Sequence, residues 1–160
     1  MTGAIAVERV GEPTADMRAL VGELEAALSA NYPPHQRHGL KLDALFQPHI
    51  RFFIARLDGE AVGCGGVALF DGFAELKRMY VRAACRGAGV APAILARLEQ
   101  EAAAAGLGTV RLETGTVQHA AMRFYARCGF RPCAAFGDYA AMPQAQIEAS
   151  VFMEKRLGPV

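Results

Sequence analysis

A glycine-containing turn, Arg86-Gly87-Ala88-Gly89-Val90-Ala91, has the residue types and spacing suited to binding a phosphate. It follows an apolar run with strand character, Phe73 to Val81, and precedes a helical pattern that continues to Ala105. The first N–H groups of a helix, and the positive end of its dipole, converge on a bound anion. Glycines allow a close backbone approach, and Arg86 adds positive charge. The turn therefore predicts a site for a phosphorylated cofactor.

Two common phosphate-binding motifs do not fit this turn. A dinucleotide fingerprint needs a third glycine where this chain has Pro92, and it belongs in the first βα unit rather than mid-chain. A P-loop needs Gly-Lys-Ser or Gly-Lys-Thr, and neither occurs in the sequence. A glycine turn that only begins a helix is the structural alternative.

The composition is that of a compact globule, and we expect residues 1–160 to form a single domain. Hydrophobic residues make up 52% of the chain and charged residues 21%. A net charge of +1 without a Lys/Arg block argues against a nucleic-acid partner. There is no signal-peptide pattern and no apolar stretch near the roughly 20 residues that span a bilayer, so no membrane partner is expected.

The cysteines and histidines indicate a cytoplasmic protein that needs no metal. The four cysteines form no C-x-x-C pair, as expected of reduced thiols. His35 and His38 have H-x-x-H spacing, but they lie in a proline-rich segment without Cys or acidic companions. We interpret them as solvated loop residues, with contact to a substrate as the second choice.

The hydrophobic pattern predicts an α/β mixed sheet with the order β-α-α-β-β-β-α-β-α-β-β. Asp58-Gly59 and Asp71-Gly72 are typical of hairpin turns, and Gly129 is expected to end the last helix as its C′ residue. The predicted strands are 4–10, 51–57, 61–70, 73–81, 109–114, 130–136 and 150–155. The predicted helices begin at Thr14 or Asp16, near Lys41, after Gly89 and at Gln118, with irregular loops at 31–38 and 137–149.

The strand 73–81 contains a change of phase. Ala74 and Leu76 share one face, but the apolar residues Met79 and Val81 fall out of phase with Leu76. A single change of phase within one strand indicates a β-bulge. A bulge leaves backbone N–H groups unpaired, so we expect free donors near Met79 to Val81.

Two segments together resemble one family. Arg86-x-x-Gly89-x-Ala91 resembles the acyl-CoA signature [QR]-x-x-G-x-[GA] of the GNAT superfamily of N-acetyltransferases. Ala121-Met122-Arg123-Phe124-Tyr125-Ala126-Arg127-Cys128-Gly129-Phe130 resembles its A-x-x-[FL]-Y-x-x-x-G-F segment. On these motifs the chain is identified as a member, with the resemblance strong from about Ile50 to Phe130.

The resemblance implies a GNAT-like fold and transfer of an acetyl group from acetyl-CoA to a primary amine by direct attack. A small metabolite or xenobiotic is the favoured acceptor, and a protein amine is the second choice. A non-catalytic acyl-CoA-binding module is the alternative function. The oligomeric state is left open, a homodimer included.

The family pattern also assigns roles to residues. It places Arg86, Gly87, Ala88, Gly89, Val90 and Ala91 around the pyrophosphate, and the backbone of Met79, Tyr80 and Val81 along the pantetheine arm and acetyl carbonyl. It places the Tyr125 hydroxyl beside the sulfur, as proton donor to the departing thiolate. Gln118, which stands where the family commonly has Asn, and Ala121 would share the helix face of Tyr125 and line the pantetheine arm.

Glu75 is the candidate base. An alkylamine with a pKa of about 10.4 is mostly protonated at neutral pH, so acetyl transfer gains from a positioned proton acceptor. Glu75 lies in an apolar strand just before the glycine turn, and we expect it to act through a water molecule. Free N–H groups at the bulge would stabilise the oxyanion of the tetrahedral intermediate. The neighbouring Lys77 and Arg78 are predicted to face solvent, with contact to an anionic substrate as the second choice.

Overall fold

The computed structural model describes residues 3–30 and 42–158, which form a seven-stranded mixed sheet. The strand order is β1-β2-β3-β4-β5-β7-β6. The strands are β1 (Ile5–Val10), β2 (Ile50–Leu57), β3 (Glu60–Leu69), β4 (Ala74–Val81), β5 (Thr109–Gly115), β6 (Arg131–Pro132) and β7 (Ser150–Arg156). The helices are α1 (Ala15–Ser29), α2 (Val90–Ala104), α3 (His119–Arg127) and α4 (Gln144–Glu148), with 3-10 turns at Leu42–Phe46, Ala83–Cys85 and Gly137–Ala141. The α/β mixed-sheet prediction is confirmed.

Helices cover both faces of the sheet, because alternate residues of a strand point to opposite sides. On β2, Phe53 belongs to the core under α2, which includes Ile94 and Leu98. Its neighbours Phe52 and Ile54 belong to the core under α1. A third, aromatic cluster lies on the α1 side of the sheet and is formed by Phe73, Phe136, Tyr139 and Phe152.

Local signals in the sequence set several element ends. The Thr14 side chain accepts the Met17 N–H at 3.2 Å and caps α1. Asp58 and Gly59 have φ values of 52° and 87°, the left-handed pair that a two-residue hairpin requires. Gly129 has a φ of 99° and ends α3 as predicted.

The predicted bulge is confirmed in β4. Cys64 pairs with Tyr80 and Gly66 with Lys77, so one residue of β3 faces two residues of β4. One of those two is Arg78, which has a φ of 54°. A β-bulge of this kind is the irregularity that the phase change in the sequence indicated.

The parallel pairing of β4 and β5 is short. Ala74 pairs with Val110 and Glu75 with Arg111, and within the two described strands the pairing goes no further. Beyond these residues, the carboxyl-terminal halves of β4 and β5 leave a gap in the sheet. Ligands of open α/β sheets bind outside the carboxyl ends of parallel strands, so this gap is the candidate position of a ligand site.

Three predicted elements differ from the structure. Of the predicted strand 130–136, only Arg131 and Pro132 form a β-strand. Proline has no N–H to donate to a neighbouring strand, and the Phe136 side chain packs in the aromatic cluster instead. The helix near Lys41 is a 3-10 turn, Leu42–Phe46. The loop 137–149 contains Gly137–Ala141 and α4. The predicted loop at 31–38 lies outside the described residues.

Candidate active site

The glycine turn presents backbone donors at the start of α2. Gly87 and Gly89 have φ values of 86° and 89°, which L side chains rarely adopt. The N–H groups of Gly87, Gly89, Val90 and Ala91 have no acceptor among the described residues. The turn is exposed, while the Val90 side chain is buried below it. These donors are placed as an anion site requires.

Arg86 lies on the same turn and is exposed. Its Nε donates to the Val81 carbonyl at 3.2 Å, which ties the turn to the end of β4. Its terminal guanidinium nitrogens have no partner among the described residues and carry positive charge at the mouth of the gap. Pro92 supplies no N–H in the first turn of α2, which leaves one donor fewer than other residues would give.

The residues of β4 next to the gap turn their side chains into the protein. The Tyr80 hydroxyl donates to Glu23 Oε1 at 3.1 Å, the Met79 side chain packs under α2 and Val81 is buried in the same core. The gap is therefore bordered by the backbone of Met79, Tyr80 and Val81, which is the part of these residues that the family pattern assigns to the cofactor.

Tyr125 is a buried residue of α3. Its ring packs against Phe124 and Phe130, and its hydroxyl has no hydrogen-bond partner among the described residues. Burial raises the pKa of Tyr125, so its hydroxyl stays protonated at neutral pH. Buried tyrosine hydroxyls usually find a partner, so this one is suited to an incoming ligand. Gln118, the N-cap residue of α3, lies half-buried two turns before it, and Ala121 lies half-buried one turn before it.

Glu75 belongs to a closed polar triad with Lys77 and Tyr139. The Tyr139 hydroxyl donates to Glu75 Oε2 at 2.6 Å, and Lys77 Nζ lies 2.8 Å from the same oxygen. Lys77 Nζ also donates to the Tyr139 hydroxyl oxygen at 3.1 Å. Glu75 is 4% exposed and Tyr139 7%. Glu75 Oε2 accepts both contacts, and Oε1 has no partner among the described residues.

The prediction that Lys77 and Arg78 face solvent was wrong. Their side chains are 11% and 7% exposed. The 3-10 turn Gly137–Ala141 covers Lys77, and the bulge places Arg78 against Glu25 of α1. Buried charges need partners, and the partners lie far along the sequence, so the local pattern gave no sign of them.

Tyr139 is the member of the site that sequence reasoning left unassigned in a loop. Burial and the nearby charge of Glu75 raise its pKa, so Tyr139 donates to Glu75 as a neutral phenol. The available signal was the three-residue spacing of Phe136 and Tyr139, both of which are buried in the aromatic cluster.

Among residues 3–30 and 42–158, no group of His, Cys, Asp and Glu side chains is arranged to hold a metal ion. His35 and His38 lie outside these residues, so the expectation that no metal is needed stays a prediction. No helix in the described ranges is long and apolar enough to cross a membrane.

Comparison with known proteins gives consistent matches. The model of the acetyltransferase (GNAT) family matches residues 18–130. An IAA acetyltransferase of Azospirillum brasilense is 41% identical over 86% of this chain and 88% of its own. The N-acetyltransferase YsnE of Bacillus subtilis is 34% identical over 87% of this chain and 91% of its own.

A solved structure agrees with these relatives. A Klebsiella pneumoniae protein described as an acyl-CoA N-acyltransferase superposes with a TM-score of 0.76 and 33% identity, over 96% of this chain and 98% of its own. The family match covers both the bulged strand and the glycine turn, and the structural match extends to the remaining elements. The chain belongs to the GNAT family of acetyltransferases and is an enzyme of that family.

Proposed function

We propose that this enzyme transfers the acetyl group of acetyl-CoA to the primary amine of a small molecule. The observation that carries the proposal is the set of unpartnered N–H groups on the turn Arg86–Ala91, at the mouth of the gap between β4 and β5. A small-molecule acceptor is supported by the similarity to an IAA acetyltransferase.

The elements around the gap suit the parts of acetyl-CoA. The glycine turn and Arg86 would bind the pyrophosphate through backbone donors and charge. The backbone of β4 from Met79 to Val81 would run beside the pantetheine arm, with Gln118 and Ala121 on α3 opposite. The acetyl carbonyl would then lie at the bulge, where an N–H group can stabilise the oxyanion.

Two side chains carry the proton transfers in this proposal. Glu75 removes a proton from the acceptor ammonium through water, using Oε1 because Oε2 already binds Lys77 and Tyr139. The amine attacks the carbonyl carbon, and the attacking nitrogen then loses its second proton to water. The tetrahedral intermediate collapses and the carbon–sulfur bond breaks. Tyr125 gives its hydroxyl proton to the departing thiolate. Burial raises the pKa of Tyr125, so the hydroxyl carries that proton at neutral pH.

An assay of thiol release across a panel of amines tests the proposal. With acetyl-CoA present, free thiol should accumulate at a rate that depends on one class of amine. The alternative, a non-catalytic acyl-CoA-binding module, predicts acetyl-CoA binding with no amine-dependent release.

The glycine turn gives a sharper test of cofactor binding. Gly89→Asp should weaken acetyl-CoA binding by about tenfold or more, since it places a negative charge beside the phosphates. Gly89→Asn is the matched control, because asparagine has nearly the same shape, tolerates a positive φ and carries no charge. Calorimetry should show a markedly smaller loss for Gly89→Asn. If the two folded variants bound acetyl-CoA with equal affinity, this turn would not be the phosphate-binding site.

The role of Glu75 is tested by pH. Glu75→Gln should depress kcat/KM most near neutral pH, and the deficit should shrink as pH approaches the amine pKa of about 10.4, where the acceptor deprotonates unaided. A pH–rate profile lowered equally at every pH would assign Glu75 a positioning role. The base would then be sought among water, His35, His38 and Tyr139.

We also propose that the enzyme acts in a reducing compartment, the cytoplasm. The cysteines Cys64, Cys85, Cys128 and Cys133 are all unpaired, and burial raises the pKa of Cys64 to about 12, which keeps that thiol unreactive.

A further inference from the structure

Arg78 adopts a backbone conformation that is unusual inside a strand. Its φ is 54°, and apart from Asp58 in the hairpin turn it is the one non-glycine residue with a positive φ in the described ranges. L residues disfavour this region because the Cβ crowds the backbone. Interactions around the bulge must therefore hold Arg78 there.

The side chain and the carbonyl of Arg78 are both anchored. Its side chain is 7% exposed, and the guanidinium Nη1 lies 2.5 Å from Glu25 Oε1 on α1. Its carbonyl oxygen accepts the Cys64 thiol of β3 at 3.4 Å. Both anchors lie on the same side of β4, toward β3 and α1.

The anchored carbonyl fixes the direction of the next N–H group. In a trans peptide the C=O and N–H point in opposite directions, and the structure has no cis peptide bond in its described residues. The Met79 N–H therefore points away from Cys64. Met79 has no register partner on β3, and the pairing with β5 ends at Glu75, so this donor lies beside the gap.

We propose that Arg78, held by Glu25, is a positioning residue that aims the Met79 N–H at the acetyl carbonyl. This inference rests on the proposed function, since it gives that N–H the oxyanion as its acceptor. Arg78 touches neither the acetyl group nor the acceptor amine, and it acts through the peptide that joins it to Met79.

Two substitutions separate the backbone effect from the ion pair. Arg78→Ala and Arg78→Gly both remove the contact with Glu25, but only glycine adopts a positive φ without strain. We expect kcat to fall about 30-fold in Arg78→Ala and about fivefold in Arg78→Gly, with KM for acetyl-CoA within about threefold of wild type. The kcat of Glu25→Gln should lie between those of wild type and Arg78→Ala.

The control is another ion pair between α1 and the sheet. Asp16→Asn removes the contact with Arg56 at 3.0 Å, at the opposite end of the helix, and should leave kcat unchanged. Each variant is first shown to unfold cooperatively. If folded Arg78→Ala matches or exceeds Arg78→Gly in kcat, the ion pair serves stability alone and the proposal is overturned.

A second measurement does not depend on turnover. In ¹⁵N-labelled protein, acetyl-CoA should shift the Met79 amide proton of wild type and of Arg78→Gly, and shift it much less in Arg78→Ala. Coenzyme A without the acetyl group should produce a smaller shift in all three. A wild-type Met79 amide that responds equally to both ligands would refute the positioning role. Absence of thiol release with every amine would instead refute the proposed function.

Discussion

Replacing Tyr125 with Phe is expected to lower kcat about 100-fold while acetyl-CoA affinity changes less than about twofold. The substitution keeps the ring packed against Phe124 and Phe130 and removes only the hydroxyl. That hydroxyl has no partner among the described residues, so its loss leaves no internal group unpaired. A large loss of rate in an equally stable protein is therefore the signature of a proton donor.

The control for Tyr125→Phe perturbs the same surroundings without removing a hydroxyl. Phe124→Leu alters a half-buried ring whose centroid is 5.3 Å from that of Tyr125. We expect kcat of this variant to stay within about threefold of wild type. A Tyr125→Phe enzyme with kcat within a factor of two of wild type would make Tyr125 a core residue only. Single-turnover measurements would confirm that the affected step is chemistry.

Lys77→Met is expected to reduce the free energy of unfolding by about 3 kcal/mol, since it leaves a buried carboxylate without its cation. Glu75 is 4% exposed and keeps only the hydrogen bond from Tyr139 in this variant. Removing one member of a buried pair costs more than the pair itself contributes, because the remaining charge stays desolvated. Urea unfolding monitored by far-UV circular dichroism measures the effect.

A double variant and a control complete this test. Lys77→Met combined with Glu75→Gln removes both charges and should recover a large part of the lost stability. Lys155→Met breaks the pair with Glu99 at 3.0 Å, where the side chains are 25% and 19% exposed, and should cost about 1 kcal/mol or less. If Lys77→Met is as stable as wild type, the triad does not hold an ionised carboxylate.

The features that the sequence predicted well are those set by neighbouring residues. The Thr14 cap, the Asp58-Gly59 turn and the end of α3 at Gly129 each depend on backbone conformations that a few residue types favour. The bulge was also visible, because a change in the alternation of apolar residues is recorded within β4 itself.

The features that the sequence did not predict depend on contacts between distant residues. The partners Lys77 and Tyr139 are 62 residues apart, and nothing near Lys77 shows that a 3-10 turn covers it. The shortening of the strand 130–136 has the same origin, because Phe136 leaves the ladder to pack on Phe73 and Phe152. Tertiary packing overrides the local pattern at such positions.

The narrow seam between β4 and β5 affects stability as well as binding. Two register pairs join the antiparallel block β1–β4 to the block β5–β7, and α2 supplies the covalent crossover between them. Each backbone hydrogen bond that is missing between β4 and β5 leaves out about 1 kcal/mol of net stabilisation. A molecule that hydrogen-bonds along that seam would bind only the folded chain and raise its stability by mass action. Acetyl-CoA, on the proposed function, would thus act as a removable strand that closes the sheet for the duration of each turnover.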